Sequence, residues 1–389
     1  MTSVGVYVHV PFCERVCPYC DFAVVAARPL RSRDQTRYVA ALRTELEARA
    51  APYAERVLAS LYLGGGTPSL LEPDAVAAIV DAVDAQFPES SGDCEVTLEV
   101  NPSTLERERL PGFRAAGVNR LSIGVQSFDD EVLRRLGRAH RAGEARATLR
   151  AARDAGFENL SLDLIFAAPG GSRDQLARDL DEVVSFGPEH VSTYELTIEP
   201  GTPFALAQAR GQLARAGEDE TIAALERIES VLGAAGLVRY EISSHARAGF
   251  ESRHTRRYWR REPVLGLGMS AWSSLVATPE APHGGRVSNP RSLAAYLEAV
   301  EAGDPSAGSS ELHDAATARC EAMFLGLRQR EGIRARAFEA EFGAPPRAFF
   351  GQQIETMCDQ GLLEERDRGD LRLSPRGWLL ADTVASYFV

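Results

Sequence analysis

Nowhere in the 389 residues does an apolar run approach the roughly 18 residues needed to cross a bilayer, so no membrane-spanning helix is expected. Basic residues are in deficit: 43 Lys and Arg stand against 55 Asp and Glu, a formal net charge of −12. That balance makes general phosphate-backbone binding a poor expectation, so nucleic acid is not expected as a partner, although a local basic cleft is compatible with it. The opening MTSVGVYVHVPFC alternates like a strand and lacks the basic n-region and apolar h-region of a signal peptide, which leads us to expect a cytoplasmic protein. Cysteine is scarce, at six residues, too few in a reducing compartment for a disulfide scaffold. There is no low-complexity tract and no internal repeat beyond an alternation of strand and helix patterns. With 44% hydrophobic and 25% charged residues, the composition excludes disordered, collagen-like and coiled-coil classes.

What is present is a regular alternation over the first ~200 residues. Short β-branched or apolar runs predict strands at Val4–Val10, Leu61–Leu63, Glu95–Val100, Leu121–Val125, Leu160–Phe166 and His190–Leu196. Helical spacing between them covers Arg37–Ala51, Pro73–Ala85, Leu105–Ala116, Gly143–Ala155 and Arg173–Val184. The Ala116-Gly117 and Ala155-Gly156 ends suit a left-handed residue just past a helix. Strands separated by helices imply a parallel sheet with right-handed crossovers, hence an α/β fold. We expect a partial (β/α)6 TIM-like barrel, with a doubly wound sheet as the alternative. No G-x-G-x-x-G follows the first strand, where that alternative would carry it. Polar residues and glycines gather just after the strands (Gly64-Gly65-Gly66-Thr67-Pro68, Asn101-Pro102, Gln126-Ser127-Phe128, Pro169-Gly170-Gly171), which marks the C-terminal strand ends as the active face. The GGGTP run is not a P-loop, since no Lys-Ser/Thr follows it.

Later the pattern changes. A helix is expected over Glu218–Ala235 and a seventh strand over Val238–Ser243, followed by the Arg/His/Trp-rich SRHTRRYWRREP. We divide the chain into a barrel over residues 1–250 and a smaller, mostly helical C-terminal domain over 251–389. From about Pro305 onward the helices Leu312–Arg328, Ala335–Phe342 and Pro346–Gln360, followed by a strand-turn pattern, look winged-helix-like. The acidic balance favours a packing or covering role for this unit over DNA binding.

Three of the six cysteines demand an explanation. Cys13, Cys17 and Cys20 follow the first strand as C-x3-C-x2-C, whereas Cys94, Cys320 and Cys358 stand alone and read as small buried hydrophobes. Three thiolates at this spacing can each bind one iron of a [4Fe–4S] cube, leaving the fourth iron open to an exchangeable ligand. The alternative is zinc, with His9 as fourth ligand.

C-x3-C-x2-C at the end of the first strand of a repeating βα domain resembles the radical S-adenosylmethionine (SAM) superfamily. That resemblance implies a [4Fe–4S] cluster and bound SAM, whose reductive cleavage yields a 5′-deoxyadenosyl radical inside a site that excludes water. Within the superfamily the chain is similar to the oxygen-independent coproporphyrinogen III oxidase-like group, and more closely to its heme-chaperone (HemW) branch. The stretches YVHVPFCERVCPYCDF, LYLGGGTPSLL, LEVNPST, GVNRLSIGVQSFDD, LGRAHRA, LSLDLIFAAPG and YWRREPVLGLGMSAW carry the similarity over nearly the whole chain. By motif position it implies cluster ligation by Cys13, Cys17 and Cys20, and SAM contacts by Tyr7, Tyr19, Gly65, Gly66, Thr67, Glu99, Gln126, Arg138 and Asp163. The chemistry fits: glycines allow close backbone approach, carboxylates suit an ammonium or ribose hydroxyls, and an Arg fork suits a carboxylate.

Two features favour the chaperone branch over the oxidase. Phe22 stands where the oxidase has a further cysteine, and only twelve residues precede Cys13. The branch also carries a His-Asn-x-x-Tyr-Trp motif implicated in heme handling. Here it reads His254-Thr255-Arg256-Arg257-Tyr258-Trp259, with Thr255 in place of Asn, which makes His254 a candidate heme contact and His245 a second one. The resemblance therefore implies a heme chaperone that passes heme to an acceptor protein, such as a respiratory enzyme, with peripheral membrane contact open. Coproporphyrinogen oxidase or a related tetrapyrrole-modifying enzyme is the alternative.

Overall fold

The computed structural model describes residues 2–88, 92–304 and 308–389; Pro305, the expected start of the winged-helix-like unit, lies outside them. Six parallel strands lie side by side in chain order: β1 (Ser3–Val10), β2 (Val57–Gly65), β3 (Glu95–Val100), β4 (Arg120–Gln126), β5 (Leu160–Phe166) and β6 (His190–Glu195). Helices α1 (Ser32–Arg49), α2 (Pro73–Gln86), α3 (Thr104–Ala115), α4 (Ala142–Asp154) and α5 (Arg173–Phe186) fill the crossovers. A doubly wound sheet reverses its strand order at a switch point; this one does not. With crossovers of one hand, every helix falls on the same face. The opposite face becomes a lumen, which is the expected partial barrel rather than the alternative.

Period-two alternation decides what enters that lumen. In β1, Val4, Val6, Val8 and Val10 are buried toward the helices, and Gly5, Tyr7 and His9 face the other way. Interstrand register then sets the layers. Tyr7 pairs with Tyr62, Tyr62 with Thr97 and Thr97 with Arg120; Glu99 pairs with Ser122, Ser122 with Ser161 and Ser161 with His190. The lumen is therefore polar and aromatic in successive tiers. Left-handed glycines close α3 and α4 as expected, with φ +93° at Gly117 and +83° at Gly156.

The run of parallel strands in chain order stops at six. After α6 (Glu218–Ala234), the expected strand Val238–Ser243 is instead two short arms, β7 (Val238–Arg239) and β8 (Ser244–Ala246), that pair with each other antiparallel. The chain reverses between them, and β8 lies antiparallel on β6. The Arg/His/Trp-rich segment forms the short helix α7 (Arg253–Trp259). On the far side of β1 the sheet continues with β9 (Val264–Leu267, parallel), then β10 (Trp272–Leu275), β11 (Gly285–Ser288) and β12 (Ser310–Leu312), so the segment after residue 250 first extends the barrel's own sheet. Glu45 of α1 ties this extension down: its buried carboxylate accepts from Gly268 N (2.8 Å), Asn289 Nδ2 (2.6 Å), Tyr296 Oη (2.8 Å) and Arg49 Nη1 (2.6 Å). Every partner of this carboxylate is a donor, which is the condition under which a buried charge is tolerated.

The winged-helix-like unit follows: α8 (Ala315–Gly326), α9 (Ala335–Phe342) and α10 (Pro346–Asp359), then a hairpin of β13 (Leu363–Glu365) and β14 (Leu371–Leu373). It has its own core, with Met323, Phe338, Ile354, Leu371 and Phe388 packed together. Ion pairs join it to α7 and to the segment after it. Glu321, 14% exposed, meets Arg261 Nε at 3.0 Å and Arg286 Nη2 at 3.1 Å, and Glu331 meets Arg256 at 2.9 Å and Arg260 at 3.3 Å. Glu321 and Arg261 are both largely buried, so truncation removes an acceptor that Arg261 shares with Arg286 and leaves Arg261 only its more exposed partner Glu341 (2.6 Å). We expect Glu321→Ala to lower stability by about 1–3 kcal/mol in denaturant titration and to expose the C-terminal unit to limited proteolysis, with Glu321→Gln intermediate.

Candidate functional site

The cysteine loop leaves the C-terminal end of β1 and is fastened at both flanks by backbone. Val25 N donates to Pro11 O (2.7 Å) and Ala27 N to Cys13 O (2.8 Å), a two-residue parallel pairing of 12–13 with 25–26. Cys20 N donates to Cys17 O (3.1 Å), closing a tight turn that brings the last two thiols to one side. The GGGTP loop after β2 clamps the same segment, with Gly66 N on Val10 O (2.8 Å) and Thr67 N on Phe12 O (2.7 Å). Glycine is required there. Gly65 has φ +109°, and a Cβ on it would lie 2.5 Å from the His9 ring; one on Gly66 would lie 2.7 Å from Phe12 O.

Side chains from the next strand ends complete a cavity of about 360 Å³. It is lined by Cys13, Cys17, Cys20, Tyr19, Gly65, Gly66, Thr67, Glu99, Gln126, Arg138 and Asp163, eleven of the twelve residues that the resemblance assigns to cluster and SAM. They are linked to one another. Thr67 Oγ1 lies 3.7 Å from Cys13 Sγ and accepts from Asn101 Nδ2 (2.7 Å); Asn101 Oδ1 accepts from Arg138 Nη2 (2.5 Å); and Arg138 Nη1 points at Cys17 Sγ from 3.7 Å. Arg138 Nε is buried without a partner, a donor suited to an anionic ligand group. Gln126 holds a left-handed φ of +65° at the end of β4, strain of the kind that clusters where a strand must turn a side chain into a site. Sequence reasoning gave no role to Asn101, the bridge from Thr67 to Arg138, although it was among the polar strand-end residues. Tyr62 was also missed; its place in the alternation of β2 was the available signal.

Two carboxylates face this cavity. Glu99 accepts from Tyr62 Oη (2.9 Å) and Gly65 N (3.0 Å), and Asp163 accepts from Ser122 Oγ (3.0 and 3.2 Å). Burial pushes Glu99 up to about 7, opposed by the Tyr62 and Gly65 bonds and assisted by Asp163; burial likewise pushes Asp163 up to about 6. A cationic ligand would relieve both. Burial raises the Cys13 thiol to about 11, a cost that binding to a metal reverses, since the metal-bound form is the thiolate.

Tyr7 and His254 lie outside that cavity. Tyr7 donates to His9 Nδ1 (3.0 Å), while His9 Nε2 donates to Ala23 O (2.9 Å), so both ring nitrogens of His9 are engaged and neither is free for the zinc alternative. Among the described residues no three His, Cys, Asp or Glu side chains converge as they would on a single ion. Three thiolates on separate corners of a cube do not need to converge on one point. His254 is buried on α7, which closes the N-terminal mouth of the barrel. Glu95 caps the start of that helix through the Arg253 and His254 amides (both 3.2 Å), and Arg257 donates to Ser3 O (2.8 Å). The His254 ring stacks on Tyr62 (5.2 Å, 29°), with Nδ1 on Ser60 Oγ (3.0 Å) and Nε2 on Tyr258 Oη (3.2 Å). Burial lowers its pKa to about 3. To face an iron it must give up one of these bonds. His245 sits elsewhere, on β8, with Nε2 3.4 Å from Glu229.

A family profile of the radical SAM superfamily matches residues 7–183, and one of the HemN C-terminal domain matches residues 314–380. The chain superposes on coproporphyrinogen III oxidase (HemN) from Escherichia coli with a TM-score of 0.83, covering 100% of this chain and 90% of that one at 22% identity, a likeness of fold. These define the class: a radical SAM protein with a HemN-type C-terminal domain. Relatives narrow it further. The chain is 32% identical over 386 residues to the heme chaperone HemW of Bacillus subtilis (98% of each chain), and 37% identical over 384 residues to that of Mycobacterium tuberculosis H37Rv (98% of this chain, 93% of the relative). The chain belongs to the HemW family. Among the described residues no helix is long and apolar enough to cross a membrane.

The Glu99 geometry generates a pH prediction. Its folded pKa of about 7 lies above the ordinary value of about 4.3, so its contribution to stability is present below about 4.3 and is lost as pH rises through 7. Glu99→Gln keeps an acceptor for Tyr62 but cannot ionise. In thermal or denaturant unfolding of the ligand-free protein, the variant is expected to gain on the order of 3 kcal/mol over wild type at pH 8, with little difference at pH 4.

Proposed function

We propose that this chain is a heme chaperone: it binds heme and transfers it to an acceptor protein, and carries a [4Fe–4S] cluster on Cys13, Cys17 and Cys20 with exchangeable SAM alongside. The observation that carries the cofactor half is the single cavity in which three thiols, a glycine-rich loop, an arginine with an unpartnered N–H and two carboxylates meet. The heme half is supported by the full-length relatives named heme chaperones. When bound, the cluster and SAM together supply one-electron chemistry.

The chain's own residues do the rest. Arg138 sets the approach of an anionic group by its Nε, while Nη2 stays tied to Asn101 Oδ1 and Gly124 O (3.1 Å) and Nη1 points at Cys17. Glu99 and Asp163 offer acceptors for an ammonium or for hydroxyls, and the gain from neutralising them grows as pH rises and both ionise. Tyr19, packed beside Phe204 (6.2 Å), forms part of the cavity wall next to the thiols. We also propose His254 as the residue through which α7 contacts heme, its release from Ser60 or Tyr258 being the step that frees a ring nitrogen.

Anaerobic reconstitution of wild type and Cys17→Ala, followed by iron and sulfide analysis, heme titration and a coproporphyrinogen III oxidase assay, tests this reading. We expect wild type to take up about four irons and four sulfides per chain and Cys17→Ala to lose the cluster absorbance. Heme should raise a Soret band in wild type without conversion of coproporphyrinogen. An iron-loaded Cys17→Ala overturns the cluster assignment, and oxidase turnover overturns the chaperone reading in favour of an enzyme.

A further inference from the structure

Below the cofactor cavity the lumen holds a second chamber of about 270 Å³. Arg120, Ser122, Tyr194 and Glu241 are among its walls, and Trp259 and Arg328 close it on the side of α7 and the C-terminal unit. Ser122 and Tyr194 also line the cavity above, so the two spaces adjoin.

The chamber is rich in donors that have nothing to donate to. Arg120 Nε, Trp259 Nε1 and Arg328 Nε are all buried without a partner. Arg120 is only 2% exposed, and among the described residues no carboxylate lies within ion-pair distance of it. Glu99 and Asp163 feel its charge only from a distance; a buried charge with no direct partner is disfavoured, and an arginine cannot escape by losing its proton. A buried indole N–H ordinarily finds an acceptor. Several nearby acceptors already hold other donors: His190 pairs through Nδ1 with Ser161 Oγ and through Nε2 with Tyr240 Oη (both 2.8 Å), and Glu241 Oε1 takes the Ser243 amide (3.2 Å). Arg328 is held over the Trp259 ring at 4.9 Å, with Nη1 on Asp382 at 3.3 Å, which keeps both unpartnered N–H groups at the same wall.

We propose that this chamber is a carboxylate site, in which Arg120, Arg328 and the Trp259 indole hold the anionic end of a small organic ligand. Its size admits a short acid or the carboxylate arm of a larger molecule, not a macrocycle. If the carboxylate is a side chain of heme, the inference rests on the function proposed above; if it is a free short acid, it stands without it.

The chain has three tryptophans, Trp259, Trp272 and Trp378, so the indole N–H signals of the 15N-labelled, cluster-loaded protein are few, and Trp259→Phe assigns the relevant one. Titration with sodium propionate should move the Trp259 signal downfield, saturably. Arg120→Gln should require at least about tenfold more propionate, while Arg376→Gln, outside the chamber, should behave as wild type. Should Arg120→Gln fail to fold, Arg328→Gln serves the same comparison. A Trp259 signal that ignores propionate, or that moves equally in these variants, overturns the proposal and leaves a chamber that holds water only. Heme and heme dimethyl ester, compared by Soret titration, identify the source. Weaker binding of the ester in wild type, with the difference abolished by Arg120→Gln, assigns the site to a heme arm; equal binding alongside a propionate response assigns it to a free acid. Absence of any heme binding defeats the chaperone reading, and the propionate arm still decides the chamber by itself.

Discussion

Six parallel strands hydrogen-bonded in unbroken chain order are the constraint from which the rest follows. Because every crossover must be made on one side, the other side of the sheet receives no helix and has to be covered by its own curvature. One face of each strand packs in valines and leucines against helices, while the other projects Tyr7, Tyr62, Glu99, Arg120, Ser122 and Asp163 inward. A lumen with these tenants cannot be an oily core. Its groups must satisfy one another or be satisfied by something bound.

The cofactor cavity illustrates the first case. A relay runs from Cys13 through Thr67, Asn101 and Arg138 to Cys17, so the thiols at the two ends of the loop's first span are referenced to the same hydrogen-bonded chain. Tyr62 joins this upper tier to the lower one: its hydroxyl serves Glu99, and its ring lies against His254. The two ends of the barrel are thus in contact through one aromatic side chain. Glu45 plays a comparable part outside the lumen, where a single carboxylate collects donors from α1 and from the sheet extension.

The strands and helices of the barrel were legible because both periodicities are strong: the strand expected at Glu95–Val100 and the helix expected at Pro73–Ala85 agree with the structure to within a residue. The strand-end residues were legible too, since glycines and carboxylates directly after apolar runs have few purely structural explanations. Val238–Ser243 was misread because its β-branched and aromatic content does not reveal the reversal at Tyr240–Ser243, which is dictated by pairing with β6. The SRHTRRYWRREP segment gave no periodic signal because seven residues make too short a helix for one. Its burial depends on long-range partners, Glu95 and Ser3, which local sequence does not specify. The same holds for Arg120: alternation assigns it to the lumen, but only the assembled tiers reveal that Glu99 and Asp163 feel its charge without either pairing with it directly.

The short helix across the narrow end of the barrel is held from both sides. Its inner face meets strand starts, and its outer neighbours, from Arg256 to Arg261, are gripped by Glu321, Glu331 and Gln329 of the C-terminal unit. The plug and its retaining collar both lie after residue 250, whereas the six parallel strands they close lie before residue 200. Neither half of the molecule is self-sufficient: a fragment trimmed to the strands alone would be a vessel open at the bottom, and the terminal helices alone would carry acidic sockets with no arginines to fill them.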